Sequence, residues 1–153
     1  MSLAGCDLFA PPVQRAEGAV ALIEVHKASR QMHLVTPEGK PLRRYRVALG
    51  NPEGHKIQRG DRRTPEGLYR IDRRNPKSAY HLALGLSYPS VDDIRRARAQ
   101  GRDPGDNIFI HGAPNGQPRP PGDWTNGCIA VDNAEMEEIW ALVPLGCPVR
   151  ILA

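Results

Sequence analysis

No run in this 153-residue chain approaches the ~18 consecutive apolar residues that a membrane-spanning helix needs, which argues against such a span. Aromatic side chains are scarce, at 5 % of the chain. Without an aromatic stacking platform or a recognition helix beside its basic residues, nucleic-acid binding is not expected. Cysteine is scarce as well. Cys6, Cys128 and Cys147 form neither a metal-type pair nor an even disulfide set. Acidic residues are thin in the first two thirds: residues 1–102 carry a net charge of +9 and residues 103–153 of −5. Most of the cations are arginines spread along strand-like segments, as expected of solvated faces. There is no repeat, low-complexity tract or internal linker.

Glycine and proline are abundant, with fifteen of each. That density breaks long helices and favours short strands joined by tight turns. The length suits one domain, and a chain of this mass buries about two thirds of its extended surface. Residues 1–18 read as a leader or tether. Leu3-Ala4-Gly5-Cys6 looks like the end of a bacterial lipoprotein processing site, which makes Cys6 a candidate lipid anchor. Residues 19–153 form the expected folded domain.

Within that domain the alternation of apolar residues predicts strands at Ala19–Val25, Gln31–Thr36 and a third after the turn Pro37-Glu38-Gly39-Lys40. In the third strand Tyr45, Val47 and Leu49 share one face, and Arg44, Arg46 and Ala48 the other. Further strands are expected at Leu68–Ile71, His81–Ser87, Asn107–His111, Cys128–Val131 and Val149–Leu152. Ser90 with Asp93 and Asp132 with Glu135 resemble capping boxes that open two short helices. The first stops at Gly101 and the second at Pro144. Asp61 and Asn75 read as turn formers, Cys147 as a small core residue, and His26, His33 and His55 as strand or turn surface residues.

Two positions carry chemistry. Ile108-Phe109-Ile110-His111-Gly112 places an imidazole at the end of a buried strand, and Thr125-Asn126-Gly127-Cys128-Ile129 places a thiol where a glycine-bearing loop enters another. A cysteine nucleophile needs a neighbouring base and backbone N–H groups aimed at the developing oxyanion. Gly127 permits such a turn. Spacing alone leaves open the plainer reading, in which Cys128 is a buried apolar side chain and His111 a satisfied polar group. A zinc site from His81, His111, Cys128 and Cys147 lacks metal-type spacing and is not expected.

The pattern Ile110-His111-Gly112, a variable loop, then Thr125-Asn126-Gly127-Cys128-Ile129 resembles the signature of the L,D-transpeptidase catalytic domain family of bacterial cell-wall enzymes. The block Gly60-Asp61 … Thr64-Pro65-Glu66-Gly67-Leu68-Tyr69 resembles it too. The stretch Arg74-Asn75-Pro76 … Tyr80-His81-Leu82-Ala83-Leu84 … Ser87-Tyr88-Pro89 is similar to one branch of that family. The resemblance covers about residues 19–152. It implies a mainly β fold with two short helices, a mixed β-sandwich or barrel. It also implies Cys128 as nucleophile, His111 as base and later acid, the Gly112 carbonyl orienting the imidazole, and the N–H groups of Gly127 and Cys128 as oxyanion hole.

Asn126, Trp124, Tyr88 and His81 become candidate substrate-binding residues. Trp124 serves equally as a loop anchor, and Tyr88 and His81 as core or rim residues. Arg62 and Arg63 either reach substrate carboxylates or stand as solvated turn arginines. The family usually has a second histidine where this chain has Asn126, and Arg or Asn where it has Ala130, which puts donor specificity in question. The implied activity is acyl transfer on peptidoglycan stem peptides without metal or organic cofactor, in the periplasm or cell envelope. A wall-anchored lipoprotein is a further candidate partner. The alternatives are a carboxypeptidase or hydrolase using the same acyl-enzyme, and a non-catalytic wall-binding domain.

Overall fold

The computed structural model describes residues 19–153; the Cys6 expectation lies outside them. Strand β1 (Leu22–His26) hydrogen-bonds antiparallel to β2 (Gln31–Val35), and β2 to β3 (Pro41–Arg46). Strand β4 (Gly67–Ser78) folds back on β5 (His81–Leu86). Helix α1 (Val91–Ala99) leads to β6 (Phe109–His111), which lies parallel to β7 (Ile129–Ala130). Helix α2 (Asn133–Leu142) and the closing strand β8 (Pro148–Leu152) complete the chain. The eight strands form one sheet in the order β3-β2-β1-β8-β4-β5-β6-β7.

Period-two patterning explains which face is inside. Ile23 and Val25 of β1, Met32 and Leu34 of β2, and Val149 and Ile151 of β8 are all buried, while their neighbours along each strand face outward. Helix α2 lies against β5 and β6 and adds Met136, Ile139 and Leu142 to that core. Both capping boxes form: the Ser90 hydroxyl accepts from Asp93 N–H, and Glu135 accepts from Asp132 N–H. Arg74 closes the far end of α2, donating to the carbonyls of Trp140 and Val143 with its guanidinium stacked 4.0 Å over the Trp140 ring.

Two departures from the expected strands have physical causes. Strand β4 runs through Asn75-Pro76 to Ser78 rather than ending at Ile71. The ladder to β5 is interrupted at Ile71/Arg73 and Asn75/Ser78, and the second interruption accommodates the proline. The third strand ends at Arg46, and Ala48, expected on the face of Arg44 and Arg46, is buried. Its N–H and C=O exchange 2.9 Å hydrogen bonds with those of Ala130. That bridge joins the segment after β3 to the last strand in the order, so the sheet curls round towards closure. Two small side chains suit the close approach.

Candidate active site

The parallel register of β6 and β7 pairs Ile110 with Ile129 and His111 with Ala130. Extending it by one residue sets Cys128 beside Phe109, on the same face as His111 and one pleat from it. The topology thus puts the two side chains singled out from the sequence on one face of neighbouring strands.

His111 is 4 % exposed, and its Nδ1–H donates to the Gly112 carbonyl at 2.8 Å. Because a carbonyl only accepts, this bond places the proton on Nδ1 and leaves Nε2 as the free base. Burial holds the imidazole below its ordinary pKa, the Gly112 carbonyl opposing weakly, so the resting ring is neutral. Tyr80 stacks on the ring at 4.5 Å between centroids, and Trp124 meets it edge-on at 5.5 Å. The indole Nε1–H of Trp124 is buried without an acceptor.

The Cys128 thiol accepts from Phe109 N–H at 3.4 Å and turns its proton towards the Asn107 carbonyl at 3.5 Å. Burial raises its pKa, against smaller lowering effects from the Phe109 N–H and the Lys56 charge.

Loop chemistry fixes the approach to Cys128. Gly127 adopts φ +122°, and a Cβ there would lie 2.7 Å from the Arg63 carbonyl, so only glycine fits. A Cβ on Gly50 would meet Arg62 O, Gly127 N and Thr125 O, and one on Gly112 would strike Asn133 Oδ1. Thr125 accepts from Gly127 N–H at 3.2 Å and donates to the Cys128 carbonyl at 2.7 Å. Gly127 N–H, expected in the oxyanion hole, is thus engaged inside the turn.

Asp123 anchors the loop from behind. It receives Arg30 at 2.8 Å and Leu49 N–H at 3.0 Å, and the Arg30 guanidinium holds its carboxyl below the usual range. Asp61 is the turn former expected, accepting from the N–H groups of Ile57, Gln58 and Arg63.

Cys128, Asn107 and Asn126 stand between two open cavities. One, of about 460 Å³, is lined by Lys56, Arg59 and Arg62. The other, of about 340 Å³, is lined by Tyr80, Ala83 and Phe109. Lys56 and Arg59 are ion-paired to Asp61 and to Asp103 and Asp106, whereas Arg62 donates to the Thr125 carbonyl.

His81 and Tyr88 line neither cavity. His81 pairs with Glu137 at 2.8 Å, and Tyr88 is buried against Tyr69 with its hydroxyl on the Pro104 carbonyl. An apolar ring inside a strand-rich block packs readily in the core, which accounts for Tyr88. Sequence reasoning passed over Tyr80, Asn107, Asp123 and Asn133. The paired threat of Gly112 and Asn133 has no sequence signal, whereas Asp123 beside Trp124 in a Pro/Gly loop could have been read as a loop anchor.

Comparison with known proteins fits this geometry. Residues 21–151 match the L,D-transpeptidase catalytic domain. The chain belongs to that family.

YafK of Escherichia coli K12, named as a candidate L,D-transpeptidase, is 28 % identical over 137 residues, covering 85 % of this chain and 50 % of YafK. A point mutant of the helical cell shape determining protein Pgp2 from Campylobacter jejuni superposes with a TM-score of 0.69 at 28 % identity. That match spans 86 % of this chain and 46 % of Pgp2. L,D-transpeptidase 1 of Mycobacterium tuberculosis shares the fold, with a TM-score of 0.56 at 13 % identity over 88 % of this chain and 62 % of that one. The chain spans about half the length of YafK and Pgp2. No helix among the described residues is long and apolar enough to cross a membrane.

Proposed function

We propose that this domain is a cysteine acyltransferase acting on peptidoglycan stem peptides outside the cytoplasm. The observation that carries it is the β6–β7 register, which sets Cys128, at the meeting of two open cavities, one pleat from an Nδ1-protonated His111 in a chain of this family. Cys128 turns from the Asn107 carbonyl to His111 Nε2, gives up its proton and attacks the carbonyl of the third stem residue. The tetrahedral oxyanion is held by Cys128 N–H, joined by Gly127 N–H when its 3.2 Å bond to Thr125 is released. His111 then returns the proton to the departing amine of the terminal D-alanine. The acyl-enzyme passes to an acceptor amine, completing a cross-link or attaching a wall-anchored lipoprotein.

Two cavities meeting at one thiol favour transfer to an amine over simple hydrolysis, since each substrate has its own approach. Asn126 reaches both and contacts donor and acceptor. Trp124 acts through His111, which it packs against, rather than by touching substrate. The test is incubation with a defined tetrapeptide muropeptide, read by mass spectrometry beside Cys128→Ala. A cross-linked dimer made only by the native protein supports the transferase. Loss of alanine without cross-linking shows a carboxypeptidase, and no Cys128-dependent product rejects the reading.

A further inference from the structure

On the outer face of the first hairpin, three metal-ligating side chains meet away from Cys128. Glu24 stands directly opposite His33 in the β1–β2 pairing, and His26 follows Glu24 on the same face of β1. The donor atoms of Glu24, His26 and His33 lie within 4.8 Å of one another. His26 Nε2 is 2.9 Å from Glu24 Oε1, and the two imidazole rings are 5.0 Å apart between centroids. The opposite face of the same strands carries Ile23, Val25, Met32 and Leu34, each fully buried, so the backbone beneath the cluster is fixed.

We propose that Glu24, His26 and His33 bind a divalent transition-metal ion, Zn²⁺ in the first instance, with water completing a tetrahedral shell. Two imidazoles and one carboxylate form the donor set that zinc takes readily and that calcium and magnesium, which prefer oxygen, do not. Ligand bonds of about 2.1 Å place the donors roughly 3.3 Å apart, a separation that side-chain rotation reaches from the present one. Arg150 lies 3.3 Å from Glu24 Oε2 and holds that oxygen, leaving Oε1 for the metal in place of the His26 contact. Gln31 Oε1, 3.1 Å from His33 Nε2, steadies the second ring. Arg44, opposite His33 across the β2–β3 pairing, adds positive charge that weakens ions bound by charge alone.

None of the three side chains lines either cavity at Cys128. The metal therefore staples β1 to β2 and takes no part in acyl transfer.

Titration of the full chain with Co²⁺, followed by visible absorption and by displacement with Zn²⁺, tests the proposal. The expected result is one equivalent with nitrogen/oxygen-type bands and a melting temperature that rises with Zn²⁺. His33→Ala and Glu24→Gln should each weaken binding about tenfold or more, with circular dichroism unchanged, since even outer-shell losses cost that much. Equal affinity in the variants overturns the site. So does a thiolate charge-transfer band that disappears in Cys128→Ala, because it would put the metal on the cysteine.

Discussion

Burial sets the protonation of the two reactive side chains: it pushes the His111 imidazole down and the Cys128 thiol up, so the resting pair is neutral. Alkylation of Cys128 by iodoacetamide should therefore climb above about pH 8.5, the ordinary thiol value, with His111 supplying the residual reactivity near neutrality. His111→Gln should remove that neutral component and slow acylation about 100-fold. An unchanged pH profile would argue against the pair. The same shift has a stability consequence. The folded state resists protonation of His111 while the unfolded chain accepts it near pH 6.5, so stability falls as pH drops below about 6.5 towards the lowered value. His111→Gln should flatten that slope in pH-dependent melts. Cys128→Ala, by contrast, removes one partly buried thiol and should abolish turnover while leaving Tm within a few degrees.

Among the elements, the loop between β6 and β7 depends on one carboxylate. Asp123 ties Arg30 at the end of the first hairpin and Leu49 N–H to the segment that delivers Trp124 and Cys128. Asp123→Ala leaves Leu49 N–H without its acceptor and Arg30 with only the Lys27 and Ala28 carbonyls, at about 1–3 kcal/mol. Tm should fall by several degrees, with activity reduced because the approach to Cys128 loosens. Retained activity and Tm would show that the anchor is dispensable. Because Arg30 depresses the Asp123 pKa, this contribution is present above the usual carboxylate range and is lost as pH falls through the lowered value.

Elements with a local code were legible in the sequence. The alternating β1 and β2, both capped helices and the His111 and Cys128 strands fall where periodicity and caps put them. The long β4 was not, because Asn75-Pro76 carries a turn signal that only pairing with β5 overrides. Tyr80 over His111 and Asn133 under Gly112 were invisible too, since both contacts are made by chain folding and not by spacing.

At the scale of the molecule, the sheet is bound to its loops by buried charge. Lys27, fully buried at the end of β1, donates to the carbonyls of Gly54 and Thr64 at 2.8 Å and pairs with Glu66 at 3.1 Å. It thereby fastens the 51–66 segment whose Arg63 carbonyl leaves no room for a Cβ at Gly127. Lys27→Ala strands these partners and should cost about 3–5 kcal/mol, a Tm drop on the order of 10 °C. A drop of less than 2 °C would show that the loop holds itself. With that frame intact, the central claim is that Cys128 carries the substrate acyl group. Intact-protein and peptide mass spectrometry after a brief reaction with tetrapeptide stem tests it most directly. The account predicts a mass gain equal to the stem minus its terminal alanine, located on Cys128 and absent from Cys128→Ala; an adduct on another residue, or turnover that survives in Cys128→Ala, would contradict it.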